Sequence, residues 1–467
     1  MSFQKAEFSR GRDSRDVGSG PGEGVTHSAA TVVRTGQHSR RHVLGVFAVV
    51  AVAALFSASS VHAQTPRGGD VLIRGARVHT VTDRGVLERA DVLVRGGRIT
   101  AVGTGLTAPA GVTVVEANGR ALTPGLWGGL TSLGLQEVEL EPSTNEQALK
   151  DAMRVHEMQL RPEFDPTPQF NPRSVTVPIA RTSGITWAVL APAESGVFLT
   201  GQGSAVTLDG RFDAALSGSR SLFVDLSTDA MGRAGGTRAS QFMLLDQAVR
   251  ETRSPGTAGE NALLQPAGRE ALRRYLAGGR VVFEVDRAVD IRRAIEFARV
   301  NGMKPVIAGG AEAWVVANEL AAANVPVLLD TLINLPSNFD KIGARLDNAA
   351  LLNRAGVRVA ITSEDSPTHR PYRVRQLAGN AVAHGLPADV ALAALTATPA
   401  DIFGLGATRG RIAQGLVADL ALWSGDPLEV TTVADQVWIA GVPVEMTSRQ
   451  TELRDRYLER LQRQQAR

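Results

Sequence analysis

The chain reads as an α/β protein, a (β/α)8-type, TIM-like barrel inserted in a small β-sandwich that both ends of the chain build. Three patterns predict this. Alternating apolar strands open the globular part at Asp70, a matching set closes it near Val444, and the stretch between alternates short apolar runs with helical spacing.

The opening set is 71–78, 90–95 and 98–103. Its apolar residues recur every second position, and glycine-rich turns separate the runs, as in short antiparallel strands. The closing set is 418–423 and 436–444. Half-sets at both ends imply one β unit interrupted by a long insertion. Within the insertion, 185–190, 222–226, 281–286, 305–308, 326–329 and 357–361 are strand-length apolar runs. Residues 290–301 and 311–324 carry helical periodicity between them. Buried parallel strands alternate with helices in barrels and in open doubly wound sheets. No glycine-rich phosphate fingerprint follows any of these strands, which favours the barrel. The expected organisation is 1–63 leader, 64–120 first half of the sandwich, 121–409 barrel, 410–446 second half and 447–467 an amphipathic helix. Leu453, Tyr457, Leu458 and Leu461 share one face of that helix, which is expected to dock on the domain or on a second subunit.

The leader has the layout of an export signal behind a disordered polar tail. Arg40-Arg41 precede an uncharged run from Val43 to about Ala58, and Val61-His62-Ala63 sets small residues before Gln64. A run of roughly 16 apolar residues is short for a membrane span and suits a secretory core. The expectation is a periplasmic or secreted protein with no stable span after processing; a retained anchor is the alternative. The arginine pair suits twin-arginine export as well as the general secretory route.

Setting the leader aside removes seven basic and four acidic residues from 50 and 47, leaving 43 of each. The basic balance therefore belongs to the leader, and no electrostatic footprint for nucleic acid remains. Cysteine is absent, so disulfides and thiolate metal sites are excluded.

Several segments carry a family likeness. Pro124-Gly125-Leu126 opens the insertion, Gly184-Ile185-Thr186 leads a strand, and Gly310-Ala311-Glu312-Ala313 starts a helix. Further on come 378–386, 395–400, and Gly410 to Leu420, which reads G-x-I-x-x-G-x-x-A-D-L. Together they resemble the amidohydrolase superfamily, in its imidazolonepropionase-like branch, over nearly all of residues 70–446. The resemblance implies a metal-dependent hydrolase acting on carbon–nitrogen bonds other than peptide bonds, with a divalent metal such as zinc at the barrel mouth.

The ligand slots are filled differently here. Where the family has His-x-His, three residues after Pro-Gly-Leu, this chain has Leu130 and Ser132. The fifth-strand histidine slot falls on Glu284 and the sixth on Gly309. The lysines are Lys5, Lys150, Lys304 and Lys341, and none evidently ends a strand. The eighth-strand acid has a counterpart in Asp365 or Glu364. Zinc sites of this type need about three protein ligands, usually imidazoles. No metal ligand is therefore assigned and no cofactor is expected, zinc being the alternative if the family chemistry survives.

The strand ends supply the remaining candidates. Asp365, Glu364 and Glu284 are the candidate catalytic residues; His369, Arg373, Asp286 and Trp127 are the candidate ligand-binding residues. Three readings fit the charged groups: an internal ion-pair network, a polar pocket for a charged small molecule, or a carboxylate site for Mg²⁺ or Ca²⁺. Gly128-Gly129 would bring backbone close to the barrel axis, with Trp127 filling the space beside it. His79, His156 and His384 are expected to be structural, and Glu137, Glu139 and Glu141 to line one face of an extended edge. Three functions remain open: an exported hydrolase with a degraded metal site, a non-catalytic relative binding a small molecule or partner, or a purely structural subunit paired with an intact homologue. The partners expected are a small molecule at the barrel mouth and a second copy of the chain or such a homologue.

Overall fold

Both ends of the chain pair in one sheet. The computed structural model describes residues 69–138, 141–147, 160–192, 197–257, 259, 262–333, 335–364, 368 and 370–465. β1 (Val71–His79), β2 (Val86–Arg95), β3 (Arg98–Gly103), β4 (Thr113–Glu116) and β5 (Ala121–Pro124) come from the front. β15 (Leu420–Trp423), β16 (Ala434–Ile439) and β17 (Val442–Pro443) come from the back. The order is β17-β16-β15-β5-β1-β2-β3, with β4 also beside β1. The seam is antiparallel, Leu420 facing Pro124 and Leu422 facing Leu122. Trp423 Nε1 donates across it to Thr123 Oγ1 at 2.8 Å.

The family-like Ala418-Asp419-Leu420 has a structural task here. The buried Asp419 carboxylate accepts from Arg409 Nη1 at 2.7 Å and from the Ala440 amide at 2.8 Å. A buried ion pair with its remaining oxygen bonded to backbone is held in one geometry.

The insertion begins with β6 (Leu126–Thr131), parallel to β7 (Ile185–Leu190). A second arc runs β10 (Ser221–Asp225), β11 (Arg280–Val285), β12 (Lys304–Gly309), β13 (Val327–Leu329) and β14 (Val359–Ile361), all parallel. Between the arcs, β8 (Leu199–Gly203) and β9 (Ala205–Thr207) form one bent stave interrupted at Ser204. β9 pairs antiparallel with β7, and β8 antiparallel with β10. This reversed stave was not anticipated from the sequence.

Strand pairing does not close the ring among the described residues. The backbone of Ala394 and Leu395 takes the positions that would join β14 to β6: Ile361 N donates to Ala394 O at 3.1 Å and Trp127 N to Leu395 O at 2.8 Å. Leu130 N instead donates to the Thr362 hydroxyl at 2.9 Å. Gly128 and Gly129 sit where the β6–β7 register shifts. A Cβ on Gly129, which has φ of 84°, would stand 2.8 Å from Thr362 Oγ1. These glycines therefore bulge β6 against β14.

Helices cover the outside: α1 (Thr176–Thr182), α2 (Arg238–Arg253), α3 (Pro266–Leu276), α4 (Ala288–Val300), α5 (Ala317–Ala322), α6 (Asn348–Arg354), α7 (Arg373–Ala383), α8 (Ala388–Ala393) and α9 (Ala397–Ile402). Thr237 and Ser240 cap α2 reciprocally. Pro266 opens α3, where a missing amide hydrogen costs nothing. The helix expected over 311–324 divides into a 3-10 turn, Ala313–Val316, and α5. Outward-facing strand residues such as Val281, Phe283 and Val285 pack with helix residues such as Leu272, Ile291 and Phe297. Inward-facing ones such as Phe223, Val282, Val306, Leu328 and Ala360 form a second core with Trp127, Trp187 and Phe403.

α10 (Arg449–Gln465) closes the chain, and none of its residues is buried. Tyr457, Leu458 and Leu461 are exposed, so the expected docking on the domain is not made among the described residues. Among those residues no helix is long and apolar enough to cross a membrane.

Candidate active site

Period-two alternation places acids at one end of the inner core. On β10, Phe223 is followed two residues on by Asp225; on β11, Val282 is followed by Glu284; past β13, Leu328 is followed by Asp330. Asp225 and Glu284 are register partners on adjacent strands. The C-terminal strand edges thus carry carboxylates above an apolar plug.

Lys341 reaches this edge from the loop after β13, in a 3-10 turn, Phe339–Lys341, capped by Asn338. Its ammonium pairs with Glu364, past the end of β14, and lies 3.7 Å from Asp286 Oδ2. Asp286 also accepts from the Ala311 amide at 3.0 Å, and Asp330 accepts from the Glu364 amide at 3.1 Å. Burial pushes the Glu364 carboxyl up to about 7; Asp286 and Asp330 add to this, and Lys341 opposes it. Burial likewise raises Asp286 and Asp225. Burial works against charge on Lys341, but Glu364, Asp286 and Glu284 outweigh it and its pKa is raised.

A second network adjoins the first. Asp340 accepts from the Thr228 amide and hydroxyl at 2.8 and 2.7 Å and from Arg238 at 2.6 Å. Arg238 also meets Asp290, which Arg287 approaches at 3.1 Å.

Three of the expected site residues, Glu284, Asp286 and Glu364, therefore gather around Lys341. Arg373 opens α7. Asp365 and His369 lie outside the described residues, as do His156 and Glu139. Trp127 is corrected: it is fully buried near the N-terminal end of β6, its ring 6.1 Å from Trp187 and 5.9 Å from Phe403. Arg280, at the start of β11, lies over the same Phe403 ring. Trp127 shares the Phe403 ring with Arg280, which starts β11, so it lies toward the N-terminal ends of the strands and away from the carboxylates. Of the Glu137–Glu141 stretch, Glu141 accepts from the Ser143 amide in the turn that follows it, at 3.1 Å. Sequence reasoning missed Lys341, Asp330 and Asp225.

The described donors do not fit a zinc ion. Leu130 packs on the inner apolar core, and the Ser132 hydroxyl is engaged with Thr368 and with Gln136. Gly309 offers no side chain, and an ammonium separates Glu364 from Asp286. Among the described residues no three His, Cys, Asp or Glu side chains converge as a metal site requires. What these residues supply is proton exchange and charge attraction.

Comparison with known proteins agrees with this architecture. The sequence pattern of the amidohydrolase family matches residues 264–445. An amidohydrolase of Hapsidospora irregularis is 40% identical over 77 residues, which is 16% of this chain and 8% of that protein. The imidazolonepropionase of Chromobacterium violaceum is 37% identical over 95 residues, 20% of this chain and 22% of that one. The chain thus spans less than a quarter of the length of either relative. An amidohydrolase from Thermotoga maritima MSB8 superposes with a TM-score of 0.71 at 24% identity, over 80% of this chain and 99% of that one. The fold is thus of the amidohydrolase type. Over residues 264–445 the chain is similar to the amidohydrolase family, and its fold is like that of the Thermotoga maritima protein.

Proposed function

We propose that the chain is an exported, amidohydrolase-like hydrolase of carbon–nitrogen bonds other than peptide bonds in small molecules, acting at the C-terminal strand edges. We read the two arcs and their reversed stave as a (β/α)8-type barrel opened between β6 and β14 and inserted in the two-ended sheet. The family's metal site is degraded in this reading, and no cofactor is required.

One observation carries the proposal: Glu364 and Asp286 flank the Lys341 ammonium at the edge of an apolar core, where burial pushes the Glu364 carboxyl up to about 7, a value suited to general acid–base work. As its carboxylate it takes a proton from water while the water oxygen attacks the substrate carbonyl carbon. It returns that proton to the nitrogen as the carbon–nitrogen bond breaks, leaving an acid and an amine. Glu284, Asp286 and Arg373, with Asp365 and His369, are the groups proposed to shape the pocket.

The test is turnover of a panel of lactams, hydantoins and N-acyl amines by wild type and Glu364→Gln. Loss of about 10²-fold or more in the variant is expected. Wild-type protein that turns over no member of the panel would overturn the hydrolase reading. Saturable ligand binding without turnover would then favour a non-catalytic small-molecule binder, the reading suggested by the replaced histidine slots. Export is tested separately, by amino-terminal sequencing of the periplasmic or secreted form, expected to begin at Gln64.

A further inference from the structure

We propose that Lys341 is the resident cation of this edge: its ammonium holds Glu364 and Asp286 together where relatives rely on a metal ion, and makes the site independent of divalent metals. The inference rests on the reading of these strand edges as the active site, but not on turnover.

Three observations carry it. First, the donors a metal would need are absent at Leu130 and Gly309 and engaged at Ser132. Second, the carboxylates at the edge still require a positive partner. Glu284 and Asp286 come from the end of β11, Asp330 from the end of β13 and Glu364 from beyond β14. Like charges this close cannot all remain ionised without a compensating cation. Third, Lys341 is built in, not draped over the surface. Its side chain is 16% exposed, and it pairs with acids that follow two different strands. A lysine ammonium is a compact point charge on a flexible stem, which suits this position better than a planar guanidinium.

The arrangement also explains why Asp286 and Glu364 differ. The Ala311 amide helps to anchor the Asp286 carboxylate, whereas Glu364 has the ammonium as its principal partner. Lys341 is therefore a positioning residue: it holds the Glu364 carboxylate at the rim and offsets the field of its acidic neighbours.

The experiment uses the full chain, purified without added metal, dialysed against a chelator and analysed for Zn, Mn, Fe and Ni by mass spectrometry. Melting is then followed at pH 5 and pH 8 for wild type, Lys341→Met and the double variant Lys341→Met/Glu364→Gln. Wild type is expected to hold less than about a tenth of a metal equivalent and to melt at the same temperature with chelator or with Zn²⁺. Lys341→Met is expected to lose about 2 °C or more at pH 8 and less at pH 5, where more of the carboxyl groups are protonated. The double variant should regain much of that loss at pH 8. One metal equivalent retained by wild type would overturn the proposal. So would a Lys341→Met chain as stable as wild type at pH 8, or a double variant no more stable than the single one. The metal count needs no variant, so it decides even if Lys341→Met does not fold. A protein inactive toward amides that passes these tests keeps this inference and loses only the hydrolase reading.

Discussion

Gly309 and Asp286 share one volume: a Cβ added at Gly309 would stand 2.8 Å from Asp286 Oδ1, and the glycine has φ of 84°. Gly309, the slot to which the family resemblance assigns a histidine, is here the wall against the Asp286 carboxylate. Gly309→His should therefore not restore a metal ligand. It should displace Asp286 and destabilise the protein by about 2 kcal/mol or more. Urea unfolding measures the loss, and a variant as stable as wild type would contradict the shared volume.

The pH dependence of stability has a definite sign at Glu364. Its folded pKa of about 7 lies above the ordinary value of 4.5. The folded state thus holds a proton that the unfolded chain releases between these limits. Its contribution is fully present below pH 4.5 and is lost as pH rises through 7. Glu364→Gln should flatten this decline and be relatively more stable at pH 8 than at pH 5. The difference should fall well below the roughly 3 kcal/mol that a full shift implies, since a quarter of the side chain is solvated. Denaturant titrations at the two pH values, giving parallel profiles for variant and wild type, would remove Glu364 as the source.

Asp419, just before β15, is tied to the loop carrying Arg409 and to the turn between β16 and β17 through the Ala440 amide. Asp419→Ala leaves a buried guanidinium without its partner and should cost about 3–5 kcal/mol. Chemical denaturation reads this directly. A loss under about 1 kcal/mol would mean that the pair is not buried in solution.

Trp127 separates packing from hydrogen bonding. Its Nε1 is buried and has no hydrogen-bond partner among the described residues. Trp127→Phe should then cost less than about 1.5 kcal/mol, whereas Trp127→Ala should cost about 3–5 kcal/mol. Equal losses in the two variants would show that the indole nitrogen does have a partner.

Thr362 spans the opening between β14 and β6 by accepting from the Leu130 amide. Thr362→Val keeps the shape and strands that amide, so a loss of about 1–3 kcal/mol is expected. Hydrogen exchange at Leu130 should quicken in the same variant; unchanged exchange would argue that another acceptor serves the amide.

The sequence was most legible where one force dominates. Alternation every second residue announces both the inner apolar layer and the acids beyond it, so Glu284 could be placed from Val281-Val282-Phe283 alone. The seam between the chain ends was legible for the same reason. Lys341 was not, because it stands in a long loop without periodicity and reaches the edge only through tertiary packing. Asp330 carried a usable signal, the run Val327-Leu328-Leu329 before it, but a three-residue strand shows alternation poorly. The reversed stave was hidden by its composition: Leu199-Thr200-Gly201-Gln202-Gly203 reads as loop, since glycine is unfavourable in strands. Trp127 illustrates the limit of residue type as a signal: an indole near a strand start serves equally as a ligand wall or as core, and here it is core.

The seam between β5 and β15 also bears on biogenesis. Thr123 and Trp423, which bond across it, are 300 residues apart. While the chain is still being synthesised, β5 presents an open edge with nothing to pair, a condition that invites aggregation. Completion of that sheet must wait until β15, 300 residues further on, has emerged, and closing so large a loop is slow. Chains truncated before residue 439 should accordingly be substrates for chaperones and proteases instead of shorter working proteins.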